Sequence, residues 1–219
     1  MKAAWLGLVL LAGAGVMRGQ AAGCPLAAAN GDAGKKCVYF TMERFGVEVG
    51  AYTIVVRGDG QAMYWETANL YGGAPGQMPW LPVGAETVKT VFAAESVVRG
   101  GACSSHVTNL PMGGKKKLVS WNGGGKVECA FSRSGDATVS AAEAAFEAMA
   151  ETLQAGARLT REHLHERLAL EPELDALAQK VHDGKAIEVQ MIAPALQALI
   201  DDDLVVEVVK KKAGELLKG

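Results

Sequence analysis

Near Ser140 the spacing of apolar residues changes from every second position to every third or fourth, and this change divides the chain into a part that builds sheet and a part that builds helix. Upstream, Val127, Cys129 and Phe131 alternate with Glu128, Ala130 and Ser132, so one face of that strand is buried and Cys129 lies on it. Downstream, Ala142, Ala145, Phe146, Met149 and Leu153 form one helical stripe. The fold class implied is α+β: antiparallel β-hairpins with an intervening helix, followed by an all-α C-terminal region of about five helices.

Within the sheet-forming part, Val38–Met42, Ala51–Arg57 and Gln61–Glu66 are β-prone, and the last two flank the turn Gly58-Asp59-Gly60. Leu70–Val83 carries Gly or Pro at almost every other position and reads as an irregular loop. Ala85–Val98 suits a short helix, and Lys117–Trp121 and Lys126–Ser132 read as strands around Asn122-Gly123-Gly124-Gly125. In the helical part, Ser140-Ala141-Ala142-Glu143 is a capping box and Gly156 is expected to end the first helix. Thr160 then caps a short helix through Leu164 and Leu168, Pro172 opens another that stops at Gly184, and Met191–Ile200 forms a stripe with Pro194 near its start. Asp201, Asp202 and Asp203 are expected to open a last helix.

Met1-Lys2, the uncharged run Ala3–Met17 and the small residues Ala21-Ala22-Gly23 have the three parts of a secretory signal. The run is shorter than the roughly 20 residues that cross a bilayer. Residues 1–23 are therefore expected to be a signal peptide, 24–36 a flexible leader, 37–139 a β-rich domain, and 140–219 a helical region packed on it or forming a second small domain. Export to the periplasm or medium is the expected localisation; because Ala21-Ala22-Gly23-Cys24 is also a degenerate lipoprotein box, lipid attachment at Cys24 is the alternative. Four cysteines in an oxidising compartment point to two disulfides, and Cys103–Cys129 with Cys24–Cys37 is the pairing expected of the three that four cysteines allow.

Charge is uneven: residues 24–140 carry 11 Lys/Arg and 9 Asp/Glu, residues 141–219 carry 9 and 15. An acidic helical half disfavours nucleic acid as a partner, and the runs Lys115–Lys117 and Lys210–Lys212 read as solvated edges. A membrane is expected to be met only through the signal or a lipid on Cys24.

Motifs that suggest chemistry each have a plainer reading. In Cys103-Ser104-Ser105-His106 a histidine three residues away is badly placed as a base, and Cys129 is a partner for the thiol. In Glu162-His163-Leu164-His165-Glu166 the two histidines point to opposite sides of a helix, so a solvated face is expected instead of a metal site. His182 beside Asp183 is a cation at a helix end, Gly123–Val127 lacks the Ser/Thr of a phosphate loop, and Asp201–Asp203 lacks calcium-ligand spacing. No catalytic residue, metal or cofactor is assigned. The candidate binding residues are the aromatics Tyr64, Trp65, Tyr71 and Trp80, which exposed on a loop would stack on sugar rings or anchor a protein. By alternation one of Tyr64 and Trp65 faces the core.

The run from Gly50 to Tyr64 (GAYTIVVRGDGQAMY), followed by a helix, a cysteine-bearing hairpin and a second helix, resembles a family of exported bacterial proteins of unknown function. The resemblance covers residues 37–155 and implies secretion and a β-β-α-β-β-α order; it supplies no catalytic residue. The chain departs from it in lacking a cysteine between Phe45 and Ala51. The functional expectation is an exported binding or structural protein without enzymatic activity, its partner a glycan or a protein; the alternative is an extracytoplasmic hydrolase with dispersed catalytic residues.

Overall fold

A computed structural model describes residue 24 and residues 36–44, 49–66, 79–101, 105–106, 114–122 and 125–218. The architecture is α+β. Strands β1 (Cys37–Glu43), β2 (Ala51–Arg57), β3 (Gln61–Glu66) and β4 (Leu81–Pro82) form a meander. Helix α1 (Ala85–Arg99) then crosses over, and β5 (Ser105–His106), β6 (Lys115–Asn122), β7 (Gly125–Phe131) and β8 (Arg133–Ser134) follow. Six of these make one antiparallel sheet in the order β4-β3-β2-β1-β6-β7, while β5 and β8 pair separately. Three full strands therefore precede α1, and the expected irregular loop before it ends in β4.

The β2–β3 hairpin turns at Gly58-Asp59-Gly60 as its sequence predicts. Gly60 has φ +80° and donates to the Arg57 carbonyl at 3.1 Å, a conformation that glycine adopts without strain. Register fixes which side chains enter the core. Val38, Phe40 and Met42 of β1 stand beside Val56, Ile54 and Tyr52 of β2 and beside Ser120, Leu118 and Lys116 of β6. This inner face lies under α1 and α2 (Ala137–His165), with Val91, Ala94, Val98, Val139, Ala142, Phe146 and Met149 buried against it. Phe40 stacks on Phe146 with ring centroids 5.1 Å apart. The aromatic row continues across the sheet from Phe40 to Tyr52 (6.3 Å) and on to Tyr64 (5.8 Å).

The helical part comprises α2, α3 (Leu170–His182), α4 (Ala193–Asp201) and α5 (Glu207–Lys218), with 3₁₀ turns at Arg167–Ala169 and Val189–Ile192. Leu159, Leu170, Leu174, Leu177, Leu196, Leu199 and Val209 form a second apolar cluster. Helix α2 belongs to both cores. Its 29 residues span about 43 Å; Phe146 and Met149 pack on the sheet, Ala155 and Leu159 pack in the helical cluster, and Leu153 touches both.

Several local expectations need correction. Gly156 does not end a helix: it lies inside α2, where a Cβ would stand 2.4 Å from Ile192 Cγ2, so close approach of the segment before α4 explains the missing side chain. The N-cap of α2 is Asp136, whose Oδ1 accepts from the Thr138 and Val139 amides at 2.8 and 3.0 Å; Ser140 lies one turn further in and donates to the Ser134 carbonyl. Asp201 ends α4 and α5 starts at Glu207, so the three aspartates join the two helices. Gly184, with φ +67°, does terminate α3, and Pro194 does sit in the first turn of α4. The lysine runs are not uniformly solvated. Lys116 pairs with Glu143 and, at 3.0 Å, with Glu147, and Lys212 pairs with Glu171 at 2.9 Å and Asp175 at 2.6 Å.

One contact ties the C-terminal part to the start of α1. The Glu188 carboxylate accepts the Gly84 amide at 2.9 Å, supplying an anion at a helix N-terminus where Gly84 has no side chain to do so. Glu188 has φ 58°, ψ 45°, the one left-handed non-glycine among the described residues. No helix among the described residues is long and apolar enough to cross a membrane.

Candidate functional site

Tyr64 is where the two cores meet the surface. From β3 its ring leaves the end of the aromatic row and borders a groove of about 580 Å³. Leu81 and Pro79 form the sheet side, Leu153, Gly156, Ala157 and Thr160 of α2 form the floor, and Met191, Ile192, Pro194, Ala195 and Ala198 form the opposite wall. The groove exists because the helix surfaces that border it carry small side chains. On α2, Gly156, Ala157 and Thr160 lie on one side of the helix, and on α4, Ala195 and Ala198 are one turn apart.

The lining is almost entirely carbon, and its polar side-chain atoms are occupied. Tyr64 Oη donates to Glu66 Oε1 at 3.1 Å and accepts from Gln154 Nε2 at 3.2 Å, while Thr160 Oγ1 donates to the Gly156 carbonyl at 2.8 Å. Burial raises the Tyr64 phenol well above its ordinary pKa.

The other aromatics are not brought to this place. Trp65, one residue on from Tyr64 in β3, projects from the opposite face of the sheet. Trp80 precedes β4 and lies under the Arg57 guanidinium, 4.6 Å from the ring centroid; its Nε1 is buried with no hydrogen-bond partner among the described residues. Tyr71 lies outside the described residues. Of the described members of the set Tyr64 alone borders the groove, and the small residues of α2 and α4 that build it carry no signal in the sequence.

Apart from Tyr64, the groove lining carries no titratable side chain among the described residues, and the acids with shifted pKa stand away from it and are mostly paired. Glu151 is desolvated, yet Lys180 at 2.7 Å and Arg158 at 3.0 Å hold its carboxyl below the usual range. Asp202 is lowered by the Leu204 amide and by His163, whose Nε2 is 2.7 Å from Oδ2. The expected solvated face at Glu162–Glu166 is corrected in part: His163 is engaged by Asp202, and Glu162 is 8% exposed with Oε2 lacking a hydrogen-bond partner among the described residues, so burial raises its pKa. Among the described residues no three His, Cys, Asp or Glu side chains are placed to hold a metal ion.

The two described strand cysteines, Cys37 and Cys129, lie on opposite faces of the sheet. Cys129 is buried on the inner face of β7, as alternation predicts, and Cys103 lies outside the described residues. Cys37 lies on the outer face of β1, fully buried, with Cys24 beside it. Both are present as thiols: Cys24 Sγ is 3.1 Å from Tyr39 Oη, and its hydrogen bond to Cys37, together with burial, pushes the Cys37 thiol far up.

No family model, curated protein or solved structure matches the chain.

Proposed function

We propose that this is an exported protein that acts by holding an apolar chain, such as an acyl tail, in the groove between Tyr64 and α4, and that it does not transform what it holds. The observation that carries this reading is the lining: about 580 Å³ bordered by Leu, Ile, Met, Pro, Ala and Gly, with Tyr64 and Thr160 already satisfied by internal hydrogen bonds. A glycan needs ring faces to stack on and polar atoms to pair with its hydroxyls, and the groove offers one ring and no unengaged polar side chain among the described residues. A hydrolase needs convergent groups of shifted pKa in its cleft, whereas Tyr64 is the one such group on the groove among the described residues, and Glu151, Glu162 and Asp202 lie elsewhere and are explained by ion pairs or burial. Export is proposed from the signal-like first 23 residues, and in an oxidising compartment the adjacent Cys24 and Cys37 thiols are proposed to close into a disulfide, as are Cys103 and Cys129.

The test is titration of the purified protein with a fluorescent long-chain fatty acid, with unlabelled fatty acid and a cell-wall oligosaccharide as competitors. Ala157 is exposed on the groove floor, so Ala157→Trp fills the space without entering either core. Saturable binding, displaced by the fatty acid and lost at least roughly tenfold in Ala157→Trp at unchanged melting temperature, is expected. Equal binding by the variant, or displacement by the oligosaccharide alone, overturns the reading.

A further inference from the structure

Among the described residues, the large apolar side chains left most exposed all lie at one end of the helical part: Leu164 (69%), Leu168 (98%), Leu204 (74%), Val206 (61%) and Val208 (42%). They come from two strips. Leu164 and Leu168 belong to the end of α2 and the 3₁₀ turn after it, and Leu204, Val206 and Val208 to the α4–α5 connection and the start of α5. A polar knot holds the strips together. Asp202 Oδ2 is 2.7 Å from His163 Nε2 and 3.0 Å from Arg167 Nη2, and Asp202 Oδ1 accepts the Leu204 amide at 2.8 Å. Leu164 and Leu168 each follow a residue of that knot, and the Leu204 amide is bonded into it, so the two strips meet at the knot.

Exposed apolar area concentrated in this way marks an interaction surface. Charge indicates what covers it. The α2 strip carries exposed Arg161 and Arg167, the latter paired with Asp202 of its own molecule, together with exposed His165 and one exposed acid, Glu166; the connection strip carries exposed Asp201, Asp203 and Glu207. The patch is thus leucine with mostly basic neighbours on one side and leucine and valine with acidic neighbours on the other. A two-fold axis through the knot lays each strip on the opposite strip of a second molecule, which matches apolar to apolar and basic to acidic in both halves at once. The five side chains give a patch on the order of 500 Å², and the charged border brings it toward the roughly 800 Å² per partner of a stable interface. An anionic bilayer would meet the acidic strip and be repelled. We propose that this end of the molecule is a homodimer interface, with the α2 strip of each copy seated on the α4–α5 connection of the other.

The arrangement makes an asymmetric prediction. Leu168 would face the partner's acidic strip, so Leu168→Glu places like charges together, whereas Leu168→Lys offers the acids a cation. Leu204 would face the basic strip, and the preference reverses. All four side-chain changes are at exposed positions, and circular dichroism melting will show whether each variant stays folded. Sedimentation velocity over the micromolar range is expected to give a dimer that weakens with salt. Leu168→Glu and Leu204→Lys are expected to loosen it by roughly tenfold or more, and Leu168→Lys and Leu204→Glu by less than about threefold. A monomer throughout the range, equal losses for the two charges at each position, or flotation of a monomer with phosphatidylglycerol vesicles overturns the proposal.

Discussion

Replacing Gly156 by alanine tests the placement of the two cores against each other through a single methyl group. In an open helix interior the change is favourable by about 1 kcal/mol, because alanine loses less backbone entropy on folding. Here the new Cβ would meet Ile192 Cγ2 at 2.4 Å and Ile192 Cβ at 2.9 Å, and neither atom is the end of a flexible chain. Ile192 is buried in the 3₁₀ turn that leads into α4, so relief requires the whole segment to move away from α2. Overpacking of this kind costs about 1–3 kcal/mol. Set against the helix gain, the net effect is a loss of up to about 2 kcal/mol, or up to roughly 8 °C in melting temperature for a chain of this size. Thermal and urea unfolding followed by circular dichroism give the value. Made in an Ile192→Ala background, which removes the γ carbons, the same change should be markedly less harmful than in the parent, and the double-mutant cycle should return at least roughly 1 kcal/mol of coupling. A stabilised Gly156→Ala single variant, or no coupling, would refute the close packing of α2 against the segment before α4.

Two further outcomes are expected. Glu162→Gln should stabilise the protein at neutral pH by about 1 kcal/mol, since burial disfavours the charged carboxyl and leaves Oε2 without a partner among the described residues. Because burial raises its folded pKa, ionisation works against folding above the ordinary carboxyl range; the advantage of the glutamine should shrink as pH falls and the parent carboxyl becomes protonated, and unfolding at pH 7 and pH 4 checks it. Thr152 is fully buried, its hydroxyl 2.6 Å from the Ile187 carbonyl and 3.2 Å from that of Ala148; Thr152→Val should cost about 1–3 kcal/mol in the same unfolding assay by leaving the Ile187 carbonyl without this donor.

What was legible in the sequence was what neighbouring residues decide. The Gly58–Gly60 turn, the Gly184 stop and the alternation that buries Cys129 each depend on a few adjacent positions, and each is found where it was expected. Gly156 was misread because a glycine in a helical pattern has two causes, a stop or a close neighbour, and the neighbour here is Ile192 in another element. Glu162 continues the stripe Ala155, Leu159 at helical spacing, so its burial had a positional signal that its charge concealed. The groove was the least legible feature. Small residues at Ala157, Ala195 and Ala198 read as unremarkable helix surface until α2 and α4 are set side by side.

The bond from Glu188 to the Gly84 amide spans 104 positions of sequence. A chain made from its N-terminus outward therefore completes the sheet and α1 long before the carboxylate that caps α1 exists. Until residue 188 arrives, the first turn of α1 has an open end, and the β-meander below it is roofed by a helix that frays from the side nearest β4. In synthesis from the N-terminus the anion that closes α1 is thus among the last parts of its surroundings to be made. A truncation that removes α5 leaves this bond possible, whereas one that ends before residue 188 leaves α1 permanently unfinished.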